Sequence, residues 1–202
     1  MGKAGVKNDT VSKCAEVEVD AHKVVDNREC AGVNTDANEK LGGESGTDRS
    51  IDNIIGDGSH LKDGKLKSNV TYQTGEYEYI YKTDSKGRIS NWSTNDLQLT
   101  DREERLPHDS KTLGKVKGDH AGHLAGDRFG GSPEIDNLVS QSSGVNLSEY
   151  KKIENQWAKA IADGKKVTTN VEVVYDGDSL RPKLFKVRYT IDGKPYSKRI
   201  IN

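Results

Sequence analysis

The sequence predicts an α+β protein with antiparallel strands and one main helix, preceded by a small N-terminal segment. Segments near the C-terminus alternate apolar and polar residues and are separated by short turns, as in antiparallel sheets. One segment between residues 147 and 162 carries apolar residues at helical spacing. Only 32% of the 202 residues are hydrophobic and 31% are charged, so a single core spanning the whole chain is not expected.

Residues 1–68 are predicted to form a linker or entry segment with little structure of its own. They are rich in Gly, Asn, Asp, Lys and Ser. The stretches 41–50 and 56–65 have the composition of loops. The domain that carries the function is therefore placed at residues 69–202.

The two cysteines lie within that N-terminal segment. Cys14 and Cys30 flank His22, eight residues from each (22−14 and 30−22). A zinc site would need a fourth ligand, and no nearby residue stands at zinc-finger spacing. A disulfide or two free thiols is the preferred interpretation, and a zinc-dependent enzyme that uses Cys14, His22 and Cys30 is the alternative.

Strand patterns begin just after residue 69. Residues 70–84 contain four tyrosines and an isoleucine in partial alternation, which predicts a strand. The turn residues at 84–88 lead into a second predicted strand through Ile89 and Trp92. Residues 95–122 are polar and have no regular pattern.

The predicted helix covers residues 147–162. Its apolar stripe consists of Tyr150, Ile153, Trp157 and Ile161. Gly164 is placed to end the helix. The strands predicted after it span residues 167–175, 184–191 and 196–201.

The formal net charge of −1 is the sum of two halves of the sequence whose net charges have opposite signs. Residues 1–100 carry 13 Lys and Arg against 17 Asp and Glu, and residues 101–202 carry 18 against 15. The second half is thus compatible with a polyanionic partner. No apolar run approaches the roughly 20 residues that span a bilayer. The first ten residues lack the apolar core of a secretory signal, so export would rely on another signal or on a longer polypeptide.

Two of the five histidines stand together in the glycine-rich segment GDHAGHLAGDRFGG, residues 118–131. The glycines allow sharp turns and close backbone packing. His120 and His123 are therefore either an incidental pair on a surface loop or a base presented on a strand and turn. Surface positions are predicted for His22, His60 and His108.

Two polar residues border the apolar stripe of the predicted helix. At about 100° per residue, Asn146 lies near −40° and Glu154 near +40° from Tyr150. A carboxylate beside a buried stripe needs a partner such as a metal-bound water, a histidine or an arginine. The alternative is an ordinary helical glutamate with an i,i+4 partner, although position 158 is Ala.

The run Gly122-His123-Leu124, then Asn137-Leu138-Val139-Ser140-Gln141, then Asn146 and Glu154 resembles the DNA/RNA non-specific endonuclease family. The likeness covers roughly residues 69–202. It is greatest to the branch that forms C-terminal nuclease domains of secreted bacterial polymorphic toxins, including type VII-exported and contact-dependent inhibition effectors. The resemblance implies a ββα-metal (His-Me finger) core and delivery into a target bacterial cell.

The resemblance also implies the roles of three residues in cleaving DNA, with RNA as a second substrate, without sequence specificity. His123 would deprotonate the attacking water, as its near-neutral pKa allows. Asn146 would ligate one Mg²⁺, which Mn²⁺ can replace, because a hard cation suits oxygen ligands. Glu154 would hold a metal-bound water.

One departure from the family concerns the Asp-Arg pair that precedes Gly-His, where this chain has His120 and Ala121, with Asp119 one residue earlier. Arg128 is the candidate for the missing cation, and a surface arginine paired to Asp127 is the alternative. His120 is expected to bind phosphate or to orient the loop. The residues expected to orient the histidine-bearing turn or touch substrate are Asn137, Gln141 and Asp119.

The competing hypothesis is a non-catalytic module that binds nucleic acid or protein through its C-terminal hairpins. Their basic residues alternate with apolar ones, so a solvated sheet face also explains them. These residues are Lys183, Lys186, Arg188, Lys198 and Arg199. For a toxin nuclease, the resemblance implies a dedicated immunity protein made by the same cell.

Overall fold

The computed structural model describes residues 53–202, in which one main sheet, two small two-stranded sheets and one main helix are formed. The helix α1 spans Tyr150–Ala162 and follows a π-helical turn at Val145–Glu149. The strands are β1 (Ile54–Ile55), β2 (Leu61–Lys62), β3 (Lys65–Leu66), β4 (Thr71–Thr74), β5 (Tyr79–Thr83), β6 (Ile89–Thr94), β7 (Asp119–His123), β8 (Leu138–Ser142), β9 (Val167–Tyr175), β10 (Pro182–Ile191) and β11 (Lys194–Ile201).

The main sheet has seven strands in the order β1-β4-β5-β6-β9-β10-β11. Neighbouring strands are antiparallel, apart from β1, which pairs with β4 in parallel. The turn between β10 and β11 places Asp192 and Gly193 at positive φ, as a two-residue hairpin requires. The strands predicted from alternation near the C-terminus are confirmed.

One predicted strand is wrong, because residues 70–84 form two strands, β4 and β5, rather than one. Gly75 has φ 85° and Glu78 has φ 52°, and together they reverse the chain. A Cβ at Gly75 would lie 2.7 Å from the Gly130 carbonyl oxygen, so the turn depends on a residue without a side chain. The loop predicted at residues 56–65 likewise contains β2 and the start of a tight hairpin.

The helix α1 packs its predicted apolar stripe against the main sheet. Tyr150, Ile153 and Trp157 are buried, and Trp157 lies with its ring edge-on to Trp92 at 6.2 Å between centroids. Gly164 follows the helix with φ 74°, as predicted for its end. Large aromatic side chains are prominent in this core, and each of them buries a large apolar surface.

The described part of the N-terminal segment is attached to the same fold. His60 is only 4% exposed, stacks on Tyr72 at 4.3 Å, and has its Nε2 3.1 Å from Asp136 Oδ2. The predicted surface position of His60 is therefore wrong. Such a contact joins residues 76 positions apart and leaves no pattern in the local sequence. The hypotheses for Cys14, His22 and Cys30, and the loop at 41–50, lie outside the described residues.

The strands β7 and β8 form a two-stranded antiparallel ribbon outside the main sheet, in which His123 pairs with Leu138. The ribbon leads directly into the π-helical turn and α1. This strand–strand–helix unit and the mainly antiparallel sheet confirm the predicted α+β class. Between residues 53 and 202, no helix has the length and apolar character needed to cross a membrane.

Candidate active site

An open cleft lies where the ribbon meets the start of the helix. Two cavities of about 250 and 350 Å³ share four lining residues, Arg105, His123, Asn146 and Leu147, and together form this cleft. A larger cavity of about 600 Å³ lies over β6, β9, β10 and β11 and contains none of the predicted site residues. The cleft is therefore the candidate active site. Its remaining lining residues are Gly126, Asp127, Arg128, Lys151, Glu154, His108, Ser110, Lys115, Asp119, His120 and Ala121.

His123 ends strand β7 and lines both cavities of the cleft. Burial, with smaller contributions from the neighbouring His108 and Arg105, lowers its pKa to about 4, below the near-neutral value expected from the sequence. The imidazole is therefore neutral at pH 7 and has a nitrogen lone pair available. Among residues 53–202, neither ring nitrogen has a hydrogen-bond partner. This side chain can accept a proton from a molecule bound in the cleft.

Glu154 projects from α1 into the same cleft and is half-buried. Burial raises the pKa of its carboxyl group to about 7, while Arg128, Lys151 and Arg105 oppose that rise. A Cβ on Gly126 would lie 2.4 Å from Glu154 Oε1. The carboxylate thus occupies space that only a glycine at position 126 leaves open.

Asn146 lies in the π-helical turn, at the boundary of the two cavities. Its Nδ2 donates a hydrogen bond to His120 Nδ1 at 3.1 Å. This contact leaves Oδ1 without a hydrogen-bond partner in the described part of the chain. An amide oxygen is a neutral, hard donor of the kind that Mg²⁺ and Mn²⁺ accept.

The donor set around Asn146 fits a metal that keeps most of its positions for water and substrate. Within residues 53–202, no three His, Cys, Asp or Glu side chains form a metal-binding group. A closed site of protein ligands, typical of structural zinc, is thus not built there. One amide oxygen with a half-buried carboxylate nearby suits a hydrated Mg²⁺ instead, because Mg²⁺ gives up its waters reluctantly.

Arg128 lines the cleft beside Glu154. Its Nη1 donates to Asn155 Oδ1 at 2.8 Å. Asp127, the partner in the alternative interpretation, instead forms an ion pair with Arg102 at 3.2 Å. Arg128 is therefore held at the cleft by an amide and keeps its charge available.

Asn137 is fully buried beneath the turn that follows His123. Its Oδ1 accepts hydrogen bonds from Tyr81 Oη at 2.7 Å and from the backbone nitrogen of Ala125 at 2.9 Å. Its Nδ2 donates to the carbonyl oxygens of Ala125 and Ser132. Since Asn137 does not line the cleft, its contacts fix the turn and do not reach substrate.

Gln141 is also fully buried and lies in the ribbon, paired with His120. Its Nε2 donates to the carbonyl oxygen of His123 at 3.4 Å. A Cβ at Gly122 would lie 2.3 Å from Gln141 Cδ, so the glycine before His123 makes room for this side chain. Gln141 thus supports the backbone under His123.

Asp119 begins β7 and binds Arg181 in two places, at 2.7 Å from Nε and 2.9 Å from Nη2. The Arg181 guanidinium holds the pKa of the Asp119 carboxyl below its usual range. This paired geometry anchors the start of the histidine-bearing strand to the loop before β10. Asp119 also lines the larger half of the cleft.

The structure adds residues to the cleft that sequence patterns did not indicate. His108 was predicted at the surface, but it is half-buried and its ring lies edge-on to His123, 4.9 Å away. Arg105 comes from the same irregular segment and lines both cavities. Lys115 and Lys151 add two further cations. No helical or strand periodicity marks Arg105 or His108.

The basic residues of the C-terminal hairpins largely pair with acids instead of forming a free patch. Lys186 and Arg188 contact Glu172 at 2.7 and 4.0 Å. Lys183 contacts Asp176, and Lys198 contacts Glu149. A solvated, ion-paired sheet face accounts for them, and the binding-module hypothesis gains no support.

A strand–strand–helix unit that presents a neutral histidine, an amide oxygen and a carboxylate in a basic cleft defines a ββα-metal nuclease. The chain belongs to the DNA/RNA non-specific endonuclease family, whose model matches residues 68–193. The match confirms the predicted family and the predicted enzyme class, a metal-dependent non-specific endonuclease.

Known relatives are similar over most of this chain. Type VII secretion system protein EssD of Staphylococcus aureus, in strains USA300 and NCTC 8325, is 39% identical over 153 residues. That alignment covers 71% of this chain and 25% of the relative. The chain thus spans about a quarter of the length of these curated relatives. A solved structure of the Sda1 nuclease with bound zinc ion has a TM-score of 0.40 and 22% identity, covering 42% of this chain and 38% of that one.

Proposed function

We propose that this chain is the nuclease portion of a secreted bacterial toxin, which hydrolyses phosphodiester bonds of DNA without sequence specificity. RNA is the second candidate substrate. The observation that carries the proposal is the neutral His123 ring, without a hydrogen-bond partner among residues 53–202, in one cleft with Asn146 and Glu154. The catalytic unit is assigned to residues 69–202, which include the 68–193 family match almost entirely.

The chemistry requires a base for water and positive charge for the phosphate. His123 takes a proton from water as the water oxygen bonds to phosphorus and the bond from phosphorus to the 3′ oxygen breaks, and the departing 3′ oxygen takes a proton from solvent water. Glu154 orients water beside His123. Asn146 Oδ1 would hold Mg²⁺. When bound, the ion would supply positive charge that offsets the negative charge of the phosphate in the transition state. His120 holds the Asn146 amide with Oδ1 free.

Absence of sequence preference follows from what the cleft offers to a nucleic acid. Four cations line it, namely Arg105, Arg128, Lys115 and Lys151. Contacts from such residues go to phosphate and position the strand without identifying bases. Cleavage should therefore occur in many sequences and weaken as salt rises, because bound cations release counterions from the nucleic acid.

The proposed function also requires that the toxin be delivered to a target cell and that the producing cell be protected from it. Support for secretion comes from the likeness to type VII secretion system proteins. A non-specific nuclease acting in a target cytoplasm would also destroy its producer's genome, so a cognate immunity protein is proposed. Acidic residues on that protein would complement the basic cleft and speed association. Expression of the full chain in a bacterium without this protein should be toxic, and His123→Ala should relieve the toxicity.

The direct test of the nuclease is cleavage of plasmid DNA and of RNA by the purified 202-residue chain. We expect cleavage with Mg²⁺ or Mn²⁺, none in excess EDTA, and recovery when Mg²⁺ is restored. His123→Ala should cleave about 10²–10⁴-fold more slowly, as loss of a general base predicts. Circular dichroism checks that the variant is folded. Wild-type cleavage by a folded His123→Ala protein would contradict the assignment.

A further inference from the structure

Arg105 occupies a central position in the cleft although no regular element carries it. It belongs to the irregular segment between β6 and β7 and lines both cavities, together with His123 and Asn146. Its charge is among the groups that lower the pKa of both His123 and Glu154. The guanidinium therefore lies within electrostatic reach of both site residues.

The guanidinium of Arg105 also has no protein partner in the described part of the chain. In the described range 53–202 it has no hydrogen bond or ion pair, whereas Arg102 pairs with Asp127 and Arg128 binds Asn155. An arginine fork without a protein partner retains its full capacity for two parallel hydrogen bonds. Two non-bridging oxygens of a phosphate match that geometry.

The backbone on either side of Arg105 is fixed to the site. Arg102, three residues earlier, binds Glu76 and Asp127. The backbone nitrogen of Leu106, the next residue, donates to Asp127 Oδ1 at 3.3 Å. Asp127 itself lines the cleft beside Arg128. The backbone is thus held at the cleft, while the side chain of Arg105 stays free to bind a ligand.

We propose that Arg105 binds the non-bridging oxygens of the scissile phosphate, and that the nucleic-acid strand crosses both cavities beneath it. This inference rests on the proposed function and names the residue that holds the reacting phosphate in that site. Arg105 is exposed at the mouth of the cleft, where its positive charge can stabilise the negative charge of a bound phosphate. Arg128 then contacts the strand at one end of the cleft, since it lines only the smaller cavity.

The kinetic test compares three variants of the full chain on an oligonucleotide substrate with Mg²⁺. Arg105→Ala should lower kcat/KM about 10²-fold, the usual effect of losing one charge-stabilising donor. Arg105→Lys keeps the charge but loses the fork, so it should lower kcat/KM by less, about tenfold. Lys165→Ala is the control, because Lys165 is an exposed cation that follows α1 and lines neither cavity.

A binding test separates phosphate contact from indirect damage to the site. In the His123→Ala background, the affinity for the oligonucleotide is measured at several salt concentrations. Adding Arg105→Ala should reduce the slope of log K against log salt by about one, and adding Lys165→Ala should leave it unchanged. A slower Arg105→Ala enzyme with an unchanged slope would overturn the proposal.

The two proposals fail in different ways. If His123→Ala alone cleaves like the wild type, the assigned mechanism is wrong, whatever Arg105 does. If His123→Ala is inactive while Arg105→Ala retains the wild-type rate and salt slope, the nuclease assignment stands and the role of Arg105 is refuted.

Discussion

Replacing Gly126 with alanine moves Glu154 without altering it. A Cβ at position 126 would lie 2.4 Å from Glu154 Oε1, whereas ordinary contacts of a Cβ begin at 3.4 Å. The carboxylate must therefore withdraw by about 1 Å, the difference between these distances. Gly126 has φ −60° and ψ 152°, which alanine adopts without strain. The change thus acts on the carboxylate and not on the backbone.

The expected effect is on rate and not on stability. A displacement of 1 Å at a catalytic group costs roughly 10²-fold, so Gly126→Ala should lower kcat by about 10–10²-fold. The carboxylate is the free end of a flexible side chain and can swing aside at little cost in folding free energy. Removing a glycine also stabilises a protein by about 0.4–1 kcal/mol where the conformation suits alanine. The free energy of unfolding should therefore change by less than about 1 kcal/mol.

Gly144→Ala is the matched control. Gly144 precedes the π-helical turn with φ −62° and ψ −40°, and no atom lies within 4 Å of a Cβ built there. This variant should keep full activity and gain about 0.4–1 kcal/mol of stability. The assay is steady-state plasmid nicking with Mg²⁺, alongside urea unfolding. Equal kcat in the two variants would refute the claim that the position of Glu154 matters.

Two further predictions concern the metal and the pH. Mn²⁺ affinity can be measured by electron paramagnetic resonance. Asn146→Ala should weaken Mn²⁺ binding by more than about tenfold. His120→Ala should weaken it by about 2–10-fold, which corresponds to the free energy of one hydrogen bond. Equal Mn²⁺ affinity in all three proteins would exclude the Asn146 site. The raised pKa of Glu154, about 7, means that the folded state binds this proton more tightly than the unfolded state, so stability falls as pH rises from about 4.5 to 7. Glu154→Gln should therefore raise the unfolding free energy in EDTA by about 1–3 kcal/mol at pH 8 and leave it unchanged at pH 4, and a pH-independent change would contradict this.

Local patterns predicted the elements whose structure is determined locally. The stripe of Tyr150, Ile153 and Trp157 predicted α1 because the residues that face the sheet recur at helical spacing. The alternation in residues 167–191 predicted β9 and β10 because each has one buried face. The edge strand β11 buries only Ile200 and forms by pairing with β10. The strand predicted over residues 70–84 was wrong because its alternation continues through a tight turn, in which both Gly75 and Glu78 adopt a positive φ.

Several residues that line the cleft could not be predicted from local sequence patterns, because long-range contacts place them in the cleft. Arg105 and His108 belong to a polar segment whose charged residues look like those of any solvated loop. That segment is fixed by Arg102 on Asp127, 25 residues away, and by Thr112 Oγ1 on Ser140 Oγ, 28 residues away. By contrast, His123, Asn146 and Glu154 were nominated by the family pattern.

The position of His123 depends on individual hydrogen bonds as well as on the core. Residues 119–142 include a ribbon that shares no backbone ladder with the seven-stranded sheet. Its buried side chains Leu124, Phe129 and Val139 join the main core. Hydrogen bonds fix its orientation: Tyr150 Oη donates to the Leu124 carbonyl at 2.8 Å, and Asn202 Nδ2 donates to the Ser140 and Pro182 carbonyls. Each such bond contributes about 1 kcal/mol, far less than burying a large aromatic side chain. Loss of one of these bonds should therefore disturb the position of His123 more than the global stability.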